Sequence, residues 1–205
     1  MYQVNEIFYS LQGEGVRAGT ANVFVRFAAC NLQCNVVEHG FDCDTDFTSG
    51  EEMDARDILQ RAEELWEGKL GRTQPCVIFT GGEPGLQLDD NLCGMFARWY
   101  KAVETNGTKQ LPDALDWISV SPKTAEHTLR VVGENRFKVS ELRYVRDVGQ
   151  ALPKPKLTAS YRCISPAFTA DGTVKQETME HCFNMVTANP DWRLSMQLHK
   201  FWRCR

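Results

Sequence analysis

No stretch of the 205-residue chain approaches the roughly 18 consecutive apolar residues of a membrane span. The apolar run Val23-Phe24-Val25 is cut by Arg26. The opening Met1-Tyr2-Gln3-Val4-Asn5-Glu6 lacks the basic and then apolar regions of a secretory signal. The expectation is a cytoplasmic protein with no membrane partner. Positive charge is not in excess either. Lys plus Arg number 23 against 27 Asp plus Glu, a net charge of −4, so no global field holds nucleic acid and none is expected as a partner. Internal repeats and low-complexity tracts are absent. Cysteine is modest: the chain has 8, too sparse for a disulfide scaffold, and thiols in a reducing compartment stay mostly reduced. A clustered subset of them points to metal rather than to cross-links.

The remaining composition is that of an ordinary globular protein, 42% hydrophobic and 24% charged. That excludes a disordered tail and a collagen-like chain. At about 1.4 times a typical domain length, the chain is expected to form one domain over 1–205. Short Val- and Phe-rich segments read as strands: Val23 to Phe27, Cys76 to Phe79, Trp117 to Val120, Leu142 to Val145, Tyr161 to Ile164 and Trp192 to Gln197. Helical periodicity lies between some of them. Ala55, Ile58, Leu59, Ala62, Leu65 and Trp66 fall on one face, as do Leu88, Leu92, Met95, Phe96 and Trp99. Thr178, Cys182, Met185 and Val186 form a weaker third face, stopped by Pro190. This alternation predicts an α/β fold with a mostly parallel sheet. Gly149 to Lys156 reads as a loop, and Lys123 to Lys138 resists assignment.

Three cysteines, Cys30, Cys34 and Cys43, sit just beyond the strand Val23 to Phe27. Loops at the carboxyl ends of parallel strands are where such folds place chemistry. Thiolates select zinc or iron–sulfur clusters. A closed zinc site wants four ligands, and His39 is a candidate fourth; a 4Fe–4S cluster on three thiolates leaves one iron open. Three further polar loops follow strand-like segments: Thr80-Gly81-Gly82-Glu83-Pro84, Glu104-Thr105-Asn106-Gly107 and Ser121-Pro122-Lys123. A Gly-Gly pair alone is only a tight turn. Together the loops describe one concave site at one end of the sheet.

A three-cysteine loop after one strand and Gly-Gly-Glu-Pro after another resemble the radical S-adenosylmethionine superfamily. A narrower resemblance is to its 7-carboxy-7-deazaguanine synthases, of the queuosine and deazapurine pathway. It is carried by Glu6 to Gly15, Val25-Arg26-Phe27, Cys43-Asp44-Thr45-Asp46-Phe47, Glu104 to Gly107, Ser121 to Lys123 and the tail Trp192 to Lys200. It runs from residue 2 to the C-terminus, with a poor match over 124–159. The superfamily's cysteine spacing is three then two intervening residues. Here it is three then eight, with Asn35 to Asp42 inserted.

The resemblance implies a partial, incomplete parallel β/α barrel, since 205 residues fall short of the roughly 250 of a full barrel. It implies a 4Fe–4S cluster on Cys30, Cys34 and Cys43, whose open iron chelates S-adenosylmethionine. Asp42, Asp44, Gly82, Glu104, Asn106, Ser121, Pro122, Lys123 and Ser165 would contact that cofactor. The implied reaction is the radical ring contraction of 6-carboxy-5,6,7,8-tetrahydropterin to 7-carboxy-7-deazaguanine with loss of ammonia, formally a carbon–nitrogen lyase. Leu11, Gln12, Gly13, Glu14, Arg26, Thr80 and the C-terminal carboxylate of Arg205 would bind the substrate. Arg26 suits a bidentate contact to its carboxylate. Thr45 would ligate Mg2+, a hard cation that prefers oxygen. A homodimer and a reducing partner such as flavodoxin are further implications.

Two other functions share part of the pattern. A glycyl-radical activating enzyme would have the cysteine and glycine loops but need a protein substrate. A zinc-binding interaction module would account for the cysteines and not for the loops. Gly13-Glu14-Gly15 lacks dinucleotide-binding spacing and precedes a strand. The sequon Asn106-Gly107-Thr108 carries no meaning in the cytosol. Cys76, Cys93, Cys163 and Cys182, with Trp66, Phe96 and Trp99, read as core; Cys204 and the lone histidines His39, His127 and His181 receive no role.

Overall fold

The computed structural model describes residues 1–34, 49–69, 74–123, 139–169 and 171–202. The chain opens with β1 (Tyr2–Leu11) and β2 (Ala21–Phe27), followed by β3 (Glu51–Met53), α1 (Ala55–Trp66) and β4 (Cys76–Gly81). A 3₁₀ turn (Pro84–Leu86) and α2 (Asp90–Met95) lead into β5 (Tyr100–Thr105), β6 (Trp117–Val120), β7 (Val139–Arg146) and β8 (Ala159–Pro166). The last elements are α3 (Gln176–Thr187), β9 (Trp192–Leu194) and α4 (Leu198–Trp202). These nine strands form one sheet, in the order β3-β1-β2-β4-β5-β6-β7-β8-β9. From β2 to β9 every pairing is parallel. β1 runs antiparallel to β2 and β3. The outer strands do not meet, so the expected α/β fold is an open, partial barrel.

The period-2 alternation of the strands divides the molecule into an outer core and a lumen. On β2, Val23, Val25 and Phe27 are fully buried and belong to the main core, as do Val77 and Phe79 of β4, Val103 of β5, and Leu142 and Tyr144 of β7. Ile58 and Ala62 of α1 pack into this layer. Burying one such large side chain contributes about 1.5–3 kcal/mol. Asp54 starts the helix by accepting from the amides of Arg56 and Asp57 at 2.8 Å. The alternate residues point the other way. Phe8, Phe24, Ile78 and Ala102, with Trp117 against them, form a small apolar plug. Beyond it the lumen turns polar, with Arg26, Thr80, Glu104 and Arg143.

Two expected elements differ. The apolar face Leu88 to Trp99 predicts one long helix, but α2 ends at Met95. Phe96 and Trp99 still enter the core through a turn closed by Trp99 N–H on the Phe96 carbonyl. Trp66, half-buried, meets Trp99 edge-on at 5.8 Å. The strand Trp192 to Gln197 stops at Leu194, because Ser195 and Gln197 turn toward the loop after β1. β1, β3 and β5 are strands beyond those the sequence predicts. β1 carries a register shift between Val4 and Glu6, which breaks the alternation that would signal a strand. β5 lies directly behind the over-extended helix. The four cysteines expected in the core are buried. Gly149 to Lys156 is loop. Residues 124–138, Cys204 and the inserted cysteine-loop residues lie outside the described residues.

Candidate active site

The carboxyl ends of β2, β4, β5, β6, β7 and β8 open into one cleft of about 1080 Å³. Three of the loops are interlocked around the first cysteine. The amide of Gly82 donates to Phe27 O at 3.2 Å and that of Glu83 to Ala29 O at 3.0 Å, which lays the Gly-Gly turn against the start of the cysteine loop. A Cβ on Gly82 would collide with the Ala29 carbonyl oxygen and lie 2.9 Å from Cys30 Cβ, so only glycine permits this approach. Ala29 itself has φ 71°, a left-handed conformation held open for the turn into Cys30. The Glu83 carboxylate is fully buried. It accepts from Thr105 Oγ1 at 2.6 Å, Asn106 N at 2.7 Å and Gly85 N at 2.8 Å. Burial pushes its pKa up; these donors oppose the shift. Asn31, between the cysteines, completes the lock. Its oxygen accepts from Asn106 Nδ2 at 3.2 Å and its amide donates to Thr108 Oγ1 at 2.9 Å.

A second network fills the lumen below these loops. Glu104, Ser119 and Glu141 stand in register across β5, β6 and β7. Arg143, two residues on from Glu141, reaches three carboxylates: Glu14 at 3.2 Å, Glu141 at 3.3 Å, and Glu104. Gln12 Nε2 donates to the other oxygen of Glu104 at 2.8 Å. Burial lifts the Glu104 carboxyl to about 7, aided by Glu141 and Glu14 and opposed by Arg143. Burial acts the same way on Glu14, but Arg143, Gln197, His199 and Lys123 outweigh it and leave its pKa below the usual range. Arg143 is held protonated more firmly than usual despite its burial, by Glu104, Glu14 and Glu141.

The C-terminal segment is fastened to the loop after β1. Leu198 N donates to Gly13 O at 2.8 Å, Gly15 N to Ser195 Oγ at 2.8 Å, and Gln197 Nε2 to Glu14 Oε1 at 3.0 Å. Gly15 has φ +69°, and a Cβ there would run into the Glu141 carboxylate. Its neighbour Val16 donates to Glu141 Oε2 at 2.6 Å. On the opposite wall, Arg26 Nε lies 2.9 Å from Glu6 Oε1 and the guanidinium 5.6 Å over Phe8. The Ser165 hydroxyl is buried at the cleft wall with no hydrogen-bond partner among the described residues.

A curated relative from Burkholderia multivorans, named 7-carboxy-7-deazaguanine synthase, is 38% identical over 213 residues, covering 98% of this chain and 97% of its own. The chain belongs to the 7-carboxy-7-deazaguanine synthase family. Synthases of the same name from Caulobacter vibrioides and Bacteroides thetaiotaomicron are 37% and 35% identical over the same shares. The crystal structure of QueE from Escherichia coli superposes with a TM-score of 0.66 at 22% identity, covering 97% of this chain and 94% of that one, a likeness of fold. No protein-family model matches the chain.

For this family member the cleft gathers most of the residues singled out in the sequence. Leu11, Gln12, Gly13, Glu14, Arg26 and Thr80 line it, as do Cys30, Cys34, Gly82, Glu104, Asn106, Ser121, Lys123 and Ser165. Pro122 is not among the lining residues. Asp42, Cys43, Asp44, Thr45 and Arg205 lie outside the described residues, and among those described no three metal-ligating side chains come together. Glu104 faces Gln12 and Arg143 in the lumen. Sequence reasoning missed Asn31, Glu83, Glu141 and Arg143. The signal for the last two is Glu141 and Arg143 at alternate positions of an apolar strand in a parallel sheet, where both faces are buried. The sequon given no role, Asn106-Gly107-Thr108, is an Asx turn: Thr108 N donates to Asn106 Oδ1 at 2.9 Å.

Proposed function

We propose that the chain is a radical S-adenosylmethionine enzyme, a carbon–nitrogen lyase that converts 6-carboxy-5,6,7,8-tetrahydropterin to 7-carboxy-7-deazaguanine. The observation that carries this reading is full-length kinship with named synthases, joined to a cleft lined by Cys30 and Cys34, with Cys30 against the Gly82 turn. The described donors suit a cluster: two thiols line the cleft beside a backbone cradle only glycine allows, and the Ser165 hydroxyl, without a hydrogen-bond partner among the described residues, faces the same space. Cys30, Cys34 and Cys43 would hold the 4Fe–4S cluster, with S-adenosylmethionine on its open iron. The bound pair supplies the one-electron chemistry that starts the reaction.

The chain's own residues bind and orient. Gly82, Asn106, Ser121, Lys123 and Ser165 line the cofactor half of the cleft, with Asp42, Asp44 and Pro122 carried over from the family resemblance. In the substrate half, Glu6 fixes Arg26 through Nε and leaves both terminal nitrogens to fork onto the substrate carboxylate. Leu11, Gln12, Gly13, Glu14 and Thr80 surround the ring. Glu104, which the resemblance assigns to the cofactor, faces Gln12 and Arg143 and joins this half instead. Arg205 is carried over from the family resemblance as a further contact. The stacked Phe8 and Phe24, 5.0 Å apart, close the floor against water. Thr45 would present its hydroxyl to Mg2+ beside the substrate.

One continuous sheet supports reading the chain as a single domain. Homodimerisation is carried over from the family resemblance; the exposed Phe201 and Trp202 of α4 offer apolar surface for it. Among the described residues no helix is long and apolar enough to cross a membrane. A cytoplasmic enzyme reduced by a flavodoxin-like partner is carried over from the family resemblance. Anaerobic reconstitution tests the cofactor. Four irons and four sulfides per chain, with S-adenosylmethionine cleaved under reduction, support the proposal; stable zinc in their place would overturn it.

A further inference from the structure

We propose that Arg143 is a positioning residue for the substrate: its guanidinium fans Glu14 and Glu104 into fixed hydrogen-bond acceptors for the donor edge of the pterin ring. The inference rests on the function proposed above. Arg143 does not line the cleft as a lone cation. Its side chain is only 8% exposed, and Nε, Nη1 and Nη2 each serve a different carboxylate, on Glu14, Glu141 and Glu104. A planar fork with five donors can fix three acids in one plane; an ammonium, a single point charge, cannot.

The third acid, Glu141, anchors the arrangement from below. It accepts from Val16 N at 2.6 Å and from Ser119 Oγ at 3.4 Å. That ties β7 to the loop carrying Gln12, Gly13 and Glu14. Gln12 in turn spans from the Glu14 amide at 3.1 Å to Glu104 at 2.8 Å. One guanidinium thus sets two of the acids that border the open volume, Glu14 and Glu104. An aminopyrimidinone edge presents adjacent N–H donors, and ionised acceptors bind such donors with about twice the strength of neutral ones.

The arrangement depends on charge. Facing Glu104 are Arg143 and Glu141 from β7, and Glu14 and Gln12 from the loop after β1. Facing Glu14 are Arg143, Lys123, His199 and Gln197. Burial and the neighbouring acids already lift the Glu104 carboxyl to about 7 with the guanidinium in place; without it Glu104 would protonate at still higher pH, turning an acceptor into a donor.

The test is equilibrium binding of 6-carboxy-5,6,7,8-tetrahydropterin to the reconstituted enzyme with S-adenosylmethionine and no reductant, from pH 6 to 9. Iron content and S-adenosylmethionine affinity are measured alongside. For Arg143→Met we expect substrate binding about 10–100-fold weaker at pH 7, the worth of one or two charge-assisted hydrogen bonds. Part of the loss returns as rising pH ionises the acids, while S-adenosylmethionine affinity holds. Arg143→Lys, which keeps the charge and loses the fork, should bind about tenfold more weakly with little pH shift. Substrate affinity within twofold of the parent in Arg143→Lys, or a pH-independent loss in Arg143→Met that S-adenosylmethionine shares, would overturn the inference. If Arg143→Met does not fold, Arg143→Lys decides alone. A parent enzyme that cleaves S-adenosylmethionine but does not bind the pterin would overturn the functional reading, and this inference with it.

Discussion

Replacing Gly82 by alanine would drive a methyl group into the start of the cysteine loop. The new Cβ would collide with the Ala29 carbonyl oxygen and lie 2.9 Å from Cys30 Cβ. Neither side can yield cheaply, because Gly82 N is bonded to Phe27 O and Glu83 N to Ala29 O. Overpacking costs typically 1–3 kcal/mol, and with backbone as the obstacle we place Gly82→Ala near 3 kcal/mol. At this chain length a kilocalorie shifts Tm by roughly 2–4 °C, so a fall of about 6–12 °C is expected. Gly94→Ala is the control. It lies exposed in α2, and apart from its chain neighbours and the helix's own backbone nothing among the described residues comes within 4 Å of the added carbon, so the same change there should stabilise by about 0.5–1 kcal/mol. Scanning calorimetry gives both signs, and iron per chain after reconstitution shows whether the Cys30 loop still holds its cluster. The reasoning fails if Gly82→Ala melts with the parent and loads full iron.

Glu83→Ala would strand the amides of Asn106 and Gly85 and the Thr105 hydroxyl in the interior. We expect a loss of about 3 kcal/mol in urea unfolding, and under 1 kcal/mol would remove Glu83 from the lock. Cys43→Ala should abolish cluster binding; full iron with the cluster's visible absorption would contradict that assignment. Thr45→Ala should leave the cluster intact and weaken stimulation by magnesium, whereas an unchanged magnesium response would take Thr45 out of the metal site.

The loops of the site were legible because each follows a short apolar run and carries residues with no use in a core: Gly81-Gly82, Asn106-Gly107, Ser121-Pro122, and cysteines in a polar context. β1 was hidden by its bulge at Val4 to Glu6. α2 was over-extended because Phe96 and Trp99 keep helical spacing after the helix has ended. The carboxylate network was harder to read. Glu141 and Arg143 stand out only as charged residues in a strand of a parallel sheet, and it is the curvature of the open sheet around a lumen that turns Glu104, Glu141 and Arg143 inward together. Asn31 and Glu83 act through contacts 75 and 22–23 residues away in sequence, which no local pattern encodes. The chemistry itself, a cluster and a pterin, came from the resemblance; three cysteines alone leave zinc open.

The most direct measurement is mass spectrometry of the products after the reconstituted enzyme meets S-adenosylmethionine, a reductant and 6-carboxy-5,6,7,8-tetrahydropterin without oxygen. The account predicts 7-carboxy-7-deazaguanine, formed only when cluster and reductant are both present. Cleavage of S-adenosylmethionine with the pterin recovered unchanged would contradict it.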